Sequence, residues 1–336
     1  IYTLSLHDAL PIFGRKMNSV ALIINIGIAL ITAVAIIHMI RDFHVHKKQF
    51  KIEMKVGGIV KSIKASLIAI VTLFFDTLGI GCYAPMTASF KIFHVTRDKY
   101  IPGTLNVACV MATCIESVYF ITNVEVDTVT LVGCIVASAI GAYLGARLIT
   151  KLNLNKTRLA MGLALLVVTV VLILGIAGMM NFGGEDIGLT GWKLALIIAI
   201  SFVMGGLMTI GIGIYAPLLA TVSLLGMDPL VAYPIMLGCC AYLIPVAAIR
   251  FCQDSIKSEK PTYDRKIAVF TNTIGLIGPA IAMVFLVSLP MYWLKILVAI
   301  VVAYVGSLML YQGINKSADK VASLPKIGRA SCRERV

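Results

Sequence analysis

Apolar runs of about twenty residues, broken by short polar segments, fill almost the whole chain. A helix needs about 20 such residues to cross a bilayer core. The pattern predicts spans at 18–40, 103–123, 129–150, 159–180, 229–250, 267–289 and 291–313. Two further runs, 65–93 and 194–225, are longer than a single crossing requires. As one helix, the 29 residues of 65–93 would reach about 44 Å against a core of about 30 Å.

The polar segments say how the long runs are used, because loops rich in Lys and Arg stay in the cytoplasm. Segment 41–64 carries Arg41, Lys47, Lys48, Lys51, Lys55, Lys61 and Lys64. Segment 147–158 carries Arg147, Lys151, Lys156 and Arg158 without an acid, and 250–266 carries five basic residues. The C-terminal stretch adds Lys316, Lys320 and Lys326. Acids mark the opposite side: Glu125 and Asp127 in 124–128, Glu185 and Asp186 in 181–192. Single crossings by 65–93 and 194–225 would scatter the basic loops over both sides. If each run instead dips in and returns, every basic loop lies inside and both acidic loops outside. The expected architecture is therefore an all-α polytopic membrane protein with about seven full spans and two re-entrant hairpins.

The two long runs also repeat one another. "TLGIGCYAPMTASF" from Thr77 recurs as "TIGIGIYAPLLATV" from Thr209, an offset of 132. Thr77/Thr209, Gly79/Gly211, Ile80/Ile212, Gly81/Gly213, Tyr83/Tyr215, Ala84/Ala216 and Pro85/Pro217 match. One copy starts from inside and the other from outside, so the repeat is inverted. Repeats of this kind place a shared site between two broken helices.

The motif suits such a site. Glycines allow a sharp reversal and a close approach to the backbone. Pro85 and Pro217 fit the first turn of a following helix, where no amide donor is needed. The amides and dipole at that helix start favour an anion, and Tyr83 and Tyr215 each add a hydroxyl. One copy would be explained by helix packing with a proline kink; two matched copies point to substrate binding by Gly79, Gly81, Tyr83, Pro85, Gly211, Gly213, Tyr215 and Pro217. Asp76 and Glu116 are acids inside apolar segments and are candidates for proton coupling. In the second half Met208 stands where Asp76 does in the first. Thr104, Asn106 and Asn272 are weaker candidates. "GAYLGA" at 141–146 fits a helix-packing face.

Composition agrees. Hydrophobic residues make up 59% and charged residues 13%, with mean hydropathy +0.95, whereas soluble domains carry about 25% charged residues. The net charge of +13 speaks to topology and anionic lipid rather than nucleic acid. Cys82, Cys109, Cys114, Cys134, Cys239, Cys240 and Cys252 form no CxxC pair and read as small buried hydrophobes. His38, Asp42, His44 and His46 superficially suggest a metal site, but the expectation is a basic, solvated loop that opposes a cation. No P-loop, nucleophile motif or heme-attachment motif appears, so neither enzyme nor cofactor is expected.

The two ends do not resemble the rest. "IYTLSLHDALPI" (1–12) and "IGRASCRERV" (327–336) can be encoded by opposite strands of one DNA segment, which resembles a short sequencing adapter. They are expected to be adapter-derived and without function, leaving at most Phe13–Lys326, with Met17 a plausible start. Within it, the reading divides the chain into an extra N-terminal span and basic loop (13–64), repeats at 65–180 and 193–313, and a tail (314–326).

The doubled Gly-rich, proline-bearing motif, with "GAYLGARLITKLNLNKTRLAMGLALL" at 141–166, resembles the TauE/SafE permeases, also called sulfite exporters. The resemblance covers roughly 65–312. Cys82 or Ile214 and then tyrosine fill the place where that family usually has more glycines. It implies gradient-driven passage of a small sulfur-containing anion, such as sulfite or an organosulfonate, through a prokaryotic cell membrane. A transporter for another small solute, or a non-transporting membrane scaffold, remains the alternative.

Overall fold

The computed structural model describes residues 19–55, 58–148, 154–177, 184, 186–208, 213–258 and 260–315. Both adapter-like ends, Met17, Lys151, Glu185 and the tail lysines lie outside the described residues. The described chain is all-α: α1 (Ser19–Val45), α2 (Lys47–Lys55), α3 (Gly58–Thr77), α4 (Tyr83–Ile92), α5 (Ile101–Ala108), α6 (Val110–Asn123), α7 (Thr128–Leu148), α8 (Leu154–Ile176), α9 (Gly191–Met208), α10 (Tyr215–Leu224), α11 (Ala232–Ser258), α12 (Arg265–Thr271), α13 (Ile277–Val287) and α14 (Met291–Ile314).

The long runs do turn back. Lys61 near the start of α3 and Thr96 beyond the end of α4 both donate to Asp264 Oδ2, at 2.7 and 3.1 Å. The first hairpin therefore enters and leaves at one end of the bundle, which we call the basic end. At the acidic end, Lys193 near the start of α9 donates to the carbonyl of Leu225 just past α10, at 3.0 Å. Asp127 N–H donates to the Ile187 carbonyl (2.8 Å) and Asp228 N–H to the Asp186 carbonyl (3.0 Å), so the acidic loops meet there too. Eight described helices are long and apolar enough to cross a membrane. Two of them, α3 and α9, are hairpin arms; α7, whose apolar stretch is shorter, brings the full crossings to seven. This is a multi-pass membrane protein.

The 132-residue offset persists in three dimensions. Tyr83–Ile92 and Tyr215–Leu224 are the same short helix in the two halves. Each ends in a Schellman closure, Val95 N–H to Phe90 carbonyl and Met227 N–H to Val222 carbonyl. The left-handed position of that closure is Gly226 (φ 90°) in one half and His94 (φ 49°) in the other.

The repeats also exchange partners symmetrically. α9 of the second half packs on α7 of the first, and α3 of the first half packs on α12 and α13 of the second. A Cβ on Gly141 would collide with the Phe202 carbonyl oxygen, and one on Gly278 with the Ile70 carbonyl oxygen. Ile70 and Phe202 again stand 132 positions apart. Without a Cβ the backbones reach contact, which in lipid replaces the hydrophobic drive available in water. Gly141 opens the predicted packing motif; of Gly145 and Ala146 only the helical backbone is described. α14 and α8 close on each other in the same manner, through Gly162, Gly306 and Gly313.

α1 has no counterpart. Its Asn25 donates to Thr122 of α6 at 3.0 Å, and its Ile24 carbonyl accepts from Tyr242 of α11 at 3.0 Å. It thus straps the two halves together. Side chains such as Ile23, Leu30 and Ile37 on its outer face are exposed, as lipid contact requires.

Segment 41–64 keeps the expected solvated basic face, with Arg41, Lys47, Lys48, Lys51 and Lys55 exposed, but it is helical rather than a loop and draws acids inward. α1 runs on to Val45, α2 follows, and α3 starts at Gly58. Asp42 is fully buried, and so are Arg265 and Lys266 at the start of α12. Arg265 donates to Asp42, Glu53 and Ser255. Lys266 donates to the carbonyls of Met54 and Gly58. Charges that looked like loop composition are the clamp between the first span and the second repeat. Burial pushes the Glu53 carboxyl above its ordinary range, and Arg265 offsets part of that. Burial likewise pushes the Tyr263 hydroxyl up, and it donates to Asp42 at 2.8 Å.

Candidate functional site

The first hairpin reverses at a second Schellman closure. Ile80 N–H donates to the Phe75 carbonyl at 3.1 Å and Gly79 N–H to the Asp76 carbonyl at 2.9 Å. Gly79 (φ 96°) and Gly81 (φ 86°) are both left-handed, a geometry that costs a residue with a Cβ about 1–2 kcal/mol. α4 then starts at Tyr83 with Pro85 third in its first turn, where its missing amide goes unneeded.

The two hairpins touch at their tips. A Cβ on Gly79 would lie 3.4 Å from Leu219 of α10, and one on Gly81 would lie 3.9 Å from the Tyr215 ring. α10 repeats the α4 start, with Tyr215 first and Pro217 third. Gly213 precedes it, exposed, and no heavy atom of the described residues lies within 4 Å of its Cβ position. Gly211 lies outside the described residues.

The tips differ in their capping. At the first, the amide of Cys82, the residue before α4, donates to Asp76 Oδ1 at 2.7 Å. The sequence placed Asp76 before the motif; that it reaches over the turn to the helix start is a tertiary fact. At the second tip Met208 replaces it, its sulfur 3.9 Å from Cys240 Sγ, and Ile214 offers no side-chain cap. The tyrosines differ as well. The Tyr83 hydroxyl donates to Asn106 Oδ1 at 3.0 Å, whereas Tyr215 is buried with its ring facing Gly81.

Glu116 joins this group from α6. Its Oε1 accepts from Thr77 Oγ1 at 2.7 Å, and Thr77 is the neighbour of Asp76 in the chain. Glu116 is 0% exposed and Asp76 2%. Cys82 and Cys109 sulfurs lie 3.4 Å apart beside them.

The weaker candidates shape the breaks. Asn272, in the gap between α12 and α13, accepts from Met111 N–H and donates to the Val107 carbonyl at 2.9 and 2.8 Å. It thereby satisfies backbone freed where α5 gives way to α6 at Cys109, a requirement for irregular chain at membrane depth. Thr104 instead sits at the basic end, accepting from Asp264 N–H at 2.9 Å.

Sequence reasoning missed Tyr233. It donates to the Leu78 carbonyl at 3.2 Å in the first tip and stacks on Phe120, centroids 5.2 Å apart. A buried tyrosine in an apolar run gives no signal of which turn it will hold. Asp42 is bound to Arg265, Tyr263 and His46, so its oxygens are spent on the clamp.

No family model, curated protein or solved structure matches this chain. Its architecture fits a membrane transporter in general.

Proposed function

We propose that this chain is a gradient-driven permease for a small anion, of the TauE/SafE type, with sulfite or an organosulfonate as cargo. On this reading it sits in the cell membrane and performs no covalent chemistry. The observation that carries the reading is the meeting of two broken hairpins, entering from opposite ends, at Gly79, Gly81 and Tyr215. A duplicated break of this kind costs packing and backbone hydrogen bonds, and in carriers it frames a site reached alternately from each side. The dipole at each short helix favours negative charge. At α4 the Asp76 carboxyl already occupies the amide at the helix start, so the cargo anion is assigned to the α10 start, beside Gly213 and Tyr215.

Sulfite flux into proteoliposomes holding the protein tests this, with sulfate, methanesulfonate and chloride as competitors. Gly213→Val is the informative variant. Among the described residues nothing lies within 4 Å of the Gly213 Cβ position, so valine there fills the tip and its Cβ clashes with none of them. Saturable flux that Gly213→Val abolishes, at unchanged thermal stability, supports the reading. Equal flux in both proteins would remove the anion from this tip.

A further inference from the structure

We propose that Glu116, beside Asp76, is a one-proton binding site that couples solute movement to the proton gradient; this rests on the permease reading. Two carboxyls meet here within apolar spans, and they are not equivalent. Asp76 accepts a hydrogen bond from the Cys82 amide at the α4 start. Glu116 has one oxygen on Thr77, while its Oε2 is buried with no hydrogen-bond partner among the described residues. An anionic oxygen left bare in apolar surroundings, next to a second carboxylate, is costly; an added proton removes that charge.

Among the described residues, the titratable groups around the pair supply no counter-charge. They are Cys82 and Tyr83 on the α4 side, Cys109 at the α5–α6 break, Tyr215 of α10 and Cys240 of α11. No lysine, arginine or histidine among the described residues acts on either carboxyl. The proton comes from water when the tip is open, forms an O–H bond at Oε2, and returns to water on the opposite side. Because Thr77 ends α3 and Asp76 caps α4, parting of the hairpin tips changes the surroundings of both carboxyls at once. The second half has Met208 in place of Asp76, so one proton per cycle is expected.

Infrared spectroscopy of the full chain in nanodiscs reads the protonated-carboxyl C=O stretch without any substrate. We expect such a band at neutral pH, lost in Glu116→Gln and shifted to higher frequency, but kept, in Thr77→Val. Absence of the band, or its persistence in Glu116→Gln, overturns the site. Its loss on adding sodium at constant pH would assign the pair to a metal cation and overturn the proton. In proteoliposomes, methanesulfonate uptake should rise with an imposed proton gradient, and in Glu116→Gln should ignore it. Gradient-independent uptake by the unaltered protein overturns the coupling. A Glu116 band without uptake of any anion supports the proton site and overturns the permease reading instead.

Discussion

Asp42 and Arg265 stand 223 positions apart and meet as a fully buried ion pair, with Arg265 Nε 2.7 Å from Asp42 Oδ2. The pair joins the extra first span to the start of α12 in the second repeat. Removing one partner of such a pair leaves an uncompensated buried charge, which costs about 3–5 kcal/mol. Arg265 keeps Glu53 as an acid partner, so Asp42→Ala should lower unfolding stability in detergent by somewhat less than that amount. Replacement of both residues by leucine together with Glu53→Gln, which removes the acid that Arg265 also holds, should recover most of it. A cost for Asp42→Ala below about 1 kcal/mol would mean that the clamp is not what holds α1 in place.

The symmetric glycine contacts make a matched prediction. Gly141→Val and Gly278→Val each force a side chain into a carbonyl of the facing helix, and helices packed through small residues depend on that approach. Both should lower the melting temperature strongly and to a similar degree, while Gly213→Ala should leave it nearly unchanged. A large difference between the first two would break the inferred equivalence of the α7–α9 and α3–α13 contacts.

The closures after α4 and α10 hold different residues in the same left-handed position, His94 and Gly226. That conformation costs a residue with a Cβ about 1–2 kcal/mol. His94→Gly should raise stability by about 1 kcal/mol, and Gly226→Ala should lower it by a similar amount. Chemical denaturation of the two variants checks the pair of signs.

Re-entry can be read by labelling. Lys61 and Thr96 share Asp264 at one end, and Lys193 meets the Leu225 carbonyl at the other. A membrane-impermeant maleimide should reach Lys61→Cys and Thr96→Cys from one face only, and Lys193→Cys and Leu225→Cys from the opposite face only. A split within either couple would turn that hairpin into a single crossing.

Much of the architecture was legible in the chain because the bilayer restricts what an apolar run can do. Run length, the side of the lysines and arginines, and the doubled G-I-G-x-Y-A-P were enough for seven crossings, two hairpins and their inversion. Even the places of Pro85 and Pro217 followed, since proline suits a helix start. Charge meaning was not legible in the same way. Asp42, Arg265 and Lys266 looked like members of wet basic loops, because composition counts charges but does not say which find partners across more than two hundred residues. The unlike tips were hidden too. The sequence shows Asp76 without a counterpart at Met208; only the folded turn brings its carboxylate to the Cys82 amide and carries Glu116 to Thr77. Periodicity and charge bias are local averages along the chain, whereas pairing of single polar groups is decided by which backbones touch.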